Sequence, residues 1–75
     1  MDWRDYITVD PLVCRGQGAC IRGTRIPASV VLDNLASGVS EAEIVKSYPS
    51  LSPEAVRAAM AYAADLARER VLAMP

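Results

Sequence analysis

The sequence predicts a mostly α-helical fold, a three-helix, helix-turn-helix-like bundle preceded by a short N-terminal β element of two or three strands. Helix-start signals recur at three points after residue 26, whereas β-branched and aromatic residues concentrate near the N-terminus. The chain has 75 residues, of which 52% are hydrophobic, enough for a single domain (1–75) with one small core. A core of this size is marginal alone, so we expect tight helix packing or a partner chain.

Residues 1–26 are predicted to form an arm and the short strands. The run Tyr6-Ile7-Thr8-Val9 is β-branched and aromatic and stops at Asp10-Pro11, which indicates a strand. A second extended region, 19–26, surrounds Gly23 and is compatible with a tight hairpin or with one strand bulged at the glycine. Helices must cover one face of so small a sheet, because two or three short strands are marginal alone.

Helix one is predicted over 27–38. Pro27 suits the first helical position, where its missing N–H costs nothing. Val31, Leu32 and Leu35 recur at helical spacing and predict an apolar face. Gly38 is predicted to end the helix as a left-handed cap.

Helix two, predicted over 41–48, has the clearest start signal in the chain. Ser40 is a favourable N-cap, and Glu43, three residues later, completes a capping box. Pro49 ends the helix because the residue before a proline avoids the α region. A short turn and a longer helix follow, which is the spacing of a helix-turn-helix.

Helix three is predicted over 53–74, with Ser52 as its cap and Pro53 in its first position. At 1.5 Å per residue it would be roughly 33 Å long, more than two short helices can cover. Its end should therefore pack on a second copy, in a homodimer, or on a partner protein, and would otherwise be a frayed tail. The residues expected at this dimer or partner interface are Leu66, Val71, Leu72 and Met74.

The two cysteines, Cys14 and Cys20, are interpreted as separate small buried residues beside a turn. A zinc site would need four ligands, and the chain has no histidine and only these two thiols. A disulfide between them is disfavoured by the reducing cytoplasm in which we expect the protein to act. We expect no metal and no cofactor.

Catalytic residues and a membrane segment are not predicted. The absence of histidine removes the commonest general base. Residues 1–5 are mostly charged, and no run approaches the roughly 20 apolar residues of a membrane span. We therefore expect a soluble, cytoplasmic protein that is not an enzyme.

The arginines carry the main hypothesis about contacts. The net charge is −1, yet residues 11–32 include three arginines and no acid. These arginines could hold a phosphate or a partner; alternatively, and this we favour, Arg22 and Arg25 pair with Asp10, Asp33 or a helix end and fix the strand–helix junction. At the start of helix three only Arg57 is a good donor to DNA. The candidate nucleic-acid or partner contacts are Arg15, Arg22, Arg25 and Arg57.

The stretch Ile21-Arg22-Gly23-Thr24-Arg25-Ile26-Pro27 resembles the signature of the domain-of-unknown-function 433 family, and the resemblance extends from about Ile7 to Tyr62. Members are small bacterial proteins similar to helix-turn-helix or homeodomain-like modules, often described as antitoxins of toxin–antitoxin systems. The resemblance implies a homodimeric adaptor that binds and neutralises a toxin. The alternatives are an autonomous DNA-binding transcriptional regulator and a module that binds phosphate or another small ligand at the Arg/Gly loop.

Overall fold

A short sheet and several helices build the fold, as the sequence predicts. The computed structural model describes residues 1–14 and 18–71, and at 11, 13 and 69–71 the backbone alone. The mostly α-helical class with a short β element is confirmed. In chain order the elements are a 3₁₀ turn (Trp3–Asp5), β1 (Ile7–Thr8), α1 (Pro11–Cys14), β2 (Cys20–Ile21), α2 (Ala28–Ala36), α3 (Glu41–Ser47) and α4 (Pro53–Val71).

The short helix α1 was not predicted. Asp10 caps it, because its carboxylate accepts the N–H of Leu12 at 2.9 Å and its carbonyl accepts the N–H of Cys14 at 2.9 Å. Asp followed by Pro is both a strand stop and a helix start. The sequence prediction used only the first meaning, so it left this turn of helix inside the arm.

The sheet consists of β1 and β2 in antiparallel pairing, with Ile7 opposite Ile21 and Thr8 opposite Cys20. The chain then reverses around Gly23, and the N–H of Ile21 donates to the carbonyl of Ile26 at 2.9 Å. An isolated antiparallel bridge also joins Cys20 to Pro27. Of the two predicted geometries, the structure therefore contains the tight reversal, and 26–27 lies along the far edge of β2.

Helix α2 is shorter than predicted at both ends. Pro27 is the N-cap, with an extended ψ of 143°, and the helix begins at Ala28. At the other end Ala36 is the last helical residue, and Gly38 has the predicted left-handed conformation with φ of +91°. A side chain there would be strained, because L-residues avoid this region.

The two following helices begin where their caps predict. Ser40 accepts the N–H of Glu43 through its hydroxyl at 3.2 Å, and Ser52 accepts the N–H of Ala55 at 3.1 Å. Helix α3 ends at Ser47, one residue earlier than predicted, since Tyr48 before the proline has φ of −124° and ψ of 82°. Helix α4 runs to Val71, and the predicted continuation to 74 lies outside the described residues.

The core surrounds the first half of α4, which contacts α2, α3, β1 and the 3₁₀ turn. Ala58, which follows the exposed Arg57 in this helix, is fully buried. Its burial reflects the packing of elements on two sides of α4. The buried hydrophobic cluster comprises Ile7, Ala19, Ile21, Ala28, Val31, Ile44, Leu51, Ala55, Val56, Ala58 and Ala59.

Cys14 and Cys20 are buried, as predicted, but they are joined by a disulfide. Their Cα atoms are 5.8 Å apart, inside the range that a disulfide spans. The interpretation as separate thiols is wrong because it rested on the redox compartment, whereas the end of α1 lies directly beside β2. The bond ties these two short elements together.

None of the helices in the described part of the chain combines the length and the apolar character that crossing a membrane requires.

Candidate functional site

The turn between β2 and α2 contains most of the signature stretch. The geometry of this turn explains why three residues of the stretch are of their particular type. Gly23 has φ of +77°, which glycine adopts without strain. The hydroxyl of Thr24 donates to the carbonyl of Ile21 at 2.9 Å and accepts the N–H of Ile26 at 3.0 Å, so it closes the turn from both sides. Pro27 then caps α2.

The two arginines of the signature are exposed and are not required by the turn. Arg22 donates from Nε to the carbonyl of Arg4 at 3.0 Å, which ties the end of β2 to the 3₁₀ turn. Neither Arg22 nor Arg25 belongs to an ion pair among the residues that the structure describes. The predicted pairing with Asp10 or Asp33 is therefore wrong. Arg22 uses instead a backbone carbonyl of the 3₁₀ turn, which lies in the arm and not at the junction of β2 and α2.

A network of side chains holds the arm against α4. The indole N–H of Trp3 donates to the carboxylate of Asp65 at 2.6 Å, and the Trp3 ring meets the ring of Tyr62 edge-on at 4.9 Å between centroids. The guanidinium of Arg4 lies 4.4 Å from the centre of the Trp3 ring, a cation–π distance. Trp3 thus packs over the edge of the core and also supports Arg4.

The surroundings of Asp65 lower the pKa of its carboxyl group. The hydrogen bond from the Trp3 indole is the main reason that the pKa of Asp65 lies below its ordinary value of 3.8, and the guanidinium of Arg68 adds to the effect. Asp65 also forms an ion pair with Arg68. The carboxylate is therefore ionised at neutral pH and fixes the orientation of the indole.

Beside this network lies an open groove of about 410 Å³. Trp3, Ile7 and Val9 give it apolar walls, and Arg4 and Arg22 lie at its edge. Val9 is 57% exposed, a large apolar side chain with little cover. Neither Arg4 nor the groove was predicted, because both depend on Trp3 meeting Asp65, which is 62 residues away and leaves no local pattern.

The start of α4 offers little to a nucleic acid. Arg57 is exposed but pairs with Glu41 of α3 at 3.4 Å. Ala58 has 0% exposure, so it reaches neither base nor phosphate. Glu54 is exposed beside them and would repel a phosphate backbone. Arg57 is thus placed where predicted, but the acidic residues Glu41 and Glu54 lie beside it.

The second half of α4 extends beyond the core. Ala59 is fully buried, Tyr62 three residues on is half-buried, and Leu66 four residues further is 44% exposed. These positions follow one face of a helix, since residues three and four apart are neighbours. The core-facing side of α4 therefore continues past the last element that covers it.

The predicted site residues divide into three groups. Arg22 lies with Arg4 at the groove, whereas Arg25 and Arg57 are exposed elsewhere. Leu66 lies on the uncovered part of α4, where it was expected. Arg15, Leu72, Met74 and the side chain of Val71 lie outside the described residues.

The architecture is that of a small helical domain in which α3, a connection of five residues and α4 follow a short sheet. The chain belongs to the DUF433 family, described as a protein of unknown function, whose model matches residues 7–63. This confirms the resemblance drawn from the signature stretch. Comparison with curated proteins and with solved structures gave no match.

Proposed function

We propose that the protein is a non-enzymatic adaptor that forms a homodimer through the second half of α4 and acts by binding another protein. The observation that carries the proposal is the rise in exposure along one face of α4, from Ala59 through Tyr62 to Leu66. A helix face that is buried in its first half and apolar in its second is suited to a second protein surface.

Exposed apolar residues on this part of α4 are not confined to the Leu66 face. Met60 is 41% exposed and Ala64 and Ala67 are exposed as well, although they lie on other sides of the helix than Leu66, since residues one and two apart do not face each other. Burying a leucine contributes about 1.5–3 kcal/mol, and alanines allow two helix axes to approach within roughly 8 Å. Two copies of this surface in contact would join both cores through α4.

The oligomeric state tests the proposal directly. Sedimentation equilibrium of the wild type should give twice the chain mass of 8.1 kDa, and Leu66→Glu should give the single mass. Leu12→Glu is the matched control, because Leu12 is a leucine with 91% exposure on α1. A wild type of single mass, or a Leu66→Glu variant that keeps the double mass, would contradict self-association through this face.

The partner that we propose is a toxin, by resemblance to antitoxins, and the proposed compartment is the cytoplasm. The same α4 surface could serve the dimer or the toxin. Co-expression with the product of a neighbouring gene, if it encodes a ribonuclease-like protein, should relieve growth inhibition by that product. Growth inhibition that persists despite co-expression would remove the antitoxin role while leaving the dimer intact.

A DNA-binding regulator is the second candidate, and the observation in its favour is the exposure of Arg22 and Arg25 within the signature stretch. The Arg57–Glu41 pair and the burial of Ala58 weigh against α4 as a reading helix. Binding to duplex DNA should then weaken with salt and with Arg25→Gln. An unchanged titration at low salt for that variant would exclude the signature arginines as the DNA surface.

A further inference from the structure

The groove beside β1 combines apolar walls with cationic groups. Its volume of about 410 Å³ is within the range of roughly 300–1,000 Å³ that small-ligand sites occupy. The exposed Val9 and the half-buried Trp3 provide apolar surface, and Arg4 and Arg22 supply the positive charge. Such a combination suits a ligand that is partly apolar and carries an anionic group.

The cationic groups are held in place before any ligand arrives. The Nε of Arg22 is engaged by the carbonyl of Arg4 at 3.0 Å, which directs its two terminal nitrogens away from that bond. The Arg4 guanidinium rests on the Trp3 ring, and Trp3 is fixed by Asp65. Groups ordered in advance cost less entropy to bind, and a guanidinium edge matches the two oxygens of a carboxylate.

Acidic residues around the groove limit the number of negative charges that it can accept. Asp10 lines the groove, and Asp2 pairs with Arg4 at 3.4 Å. Asp5 is exposed in the same arm. A nucleic-acid backbone, with a charge at every phosphate, would be repelled by these carboxylates at several points, whereas a ligand with a single carboxylate placed at Arg22 would be repelled far less.

We propose that this groove binds a short segment of a partner protein in which a single acidic residue lies between aliphatic residues. Its carboxylate contacts the terminal nitrogens of Arg22, and its aliphatic side chains lie against Trp3 and Val9. No described residue of α4 is part of the groove lining, but Trp3 also contacts Tyr62 on the proposed dimer face. The same peptide titration with Leu66→Glu therefore separates failure of this proposal from failure of the dimer.

The chain has a single tryptophan, and it forms part of the groove, so its indole N–H is an unambiguous NMR reporter. The probe is the capped peptide acetyl-Val-Glu-Leu-amide, titrated to millimolar concentration, with acetyl-Val-Gln-Leu-amide as its neutral counterpart. We expect a saturable shift of the Trp3 indole signal with the glutamate peptide, and about tenfold weaker binding of the glutamine peptide.

Arg22→Gln should weaken binding of the glutamate peptide about tenfold, whereas Arg25→Gln, the same change on the same turn outside the groove lining, should leave it unchanged. Arg22→Lys is the second variant, which keeps the charge and loses the two-pronged contact. Its affinity for the glutamate peptide should lie between those of the wild type and Arg22→Gln. A Trp3 signal that does not move, or equal binding by wild type and both Arg22 variants, would overturn the proposal. The proposal would also be overturned if a short DNA duplex shifted the Trp3 signal and its binding were weakened equally by Arg22→Gln and Arg25→Gln.

Discussion

The two halves of α4 are similar in composition and opposite in environment. In the first half Ala55, Ala58 and Ala59 are buried, because α4 passes between the other helices on one side and the sheet and arm on another. In the second half Ala64 and Ala67 are exposed. In the first half a larger side chain at these buried positions would have to displace its neighbours. In the second half alanine leaves a smooth surface that nothing in the described chain covers.

The boundary between the halves is marked by the contact of Trp3 with Tyr62 and Asp65. Up to Tyr62 the helix packs against the core, and at Asp65 it is held by a hydrogen bond from the arm. Beyond Asp65 the exposed residues Leu66, Ala67 and Arg68 follow. The limit of this core therefore coincides with a contact between the N-terminal arm and α4 and not with a change in the helix sequence.

The largest expected effect comes from enlarging a buried alanine. Ala59→Leu adds three carbons at a site with 0% exposure, so the free energy of unfolding should fall by about 1–3 kcal/mol. Ala64→Leu makes the same change five residues later on the exposed surface, where a shift within about 0.5 kcal/mol is expected. Urea unfolding followed by circular dichroism measures the free energy of unfolding of both variants. The protein concentration is kept equal because the stability of a dimer depends on concentration.

Two outcomes would change this view of the two halves of α4. If both substitutions destabilise by similar amounts, Ala64 is packed against a second chain in solution, and the interface covers the side of α4 opposite Leu66 as well. If neither destabilises, the first half has room for larger side chains and the two halves are equivalent.

Sequence reasoning succeeded where the information is local. The caps at Ser40 and Ser52 and the left-handed Gly38 depend on residues within one helical turn, so they located the starts of α3 and α4 and the end of α2. It also identified Leu66 as a residue that the core does not cover. The family signature was likewise contained in seven consecutive residues.

Sequence reasoning failed where two distant residues meet or where one motif has two meanings. The Trp3–Asp65 bond joins residues 62 apart, and Arg22 reaches the backbone of Arg4, which no side-chain pattern encodes. Asp10 ends a strand and caps a helix at once, so α1 and the cysteine pair that it brings together were both missed. The groove follows from these contacts and could not be predicted without them.

The next expected effect concerns the contact at the boundary. Trp3→Phe keeps an aromatic ring and removes the N–H that Asp65 accepts, so unfolding should occur at slightly lower urea concentration, with a smaller change than for Ala59→Leu. Amide hydrogen exchange in residues 2–6 should accelerate, because the arm loses its polar link to α4. Tyr62→Phe is the control, since it retains the edge-on ring contact and should leave this exchange unchanged. Unaltered exchange in Trp3→Phe would mean that ring packing alone holds the arm.

The smallest expected effect is the pH dependence of the same contact. The pKa of Asp65 is lower in the folded protein than its ordinary value of 3.8, mainly because of the Trp3 hydrogen bond. A lowered carboxyl pKa stabilises the fold above the ordinary value, and the stabilisation disappears as the pH falls through the folded value. The stability difference between wild type and Asp65→Asn should therefore be constant near neutral pH and shrink below pH 3.8. Other carboxylates titrate in both proteins and cancel in the difference, so a difference that stays constant on acidification would show that Asp65 is not the titrating group at the boundary.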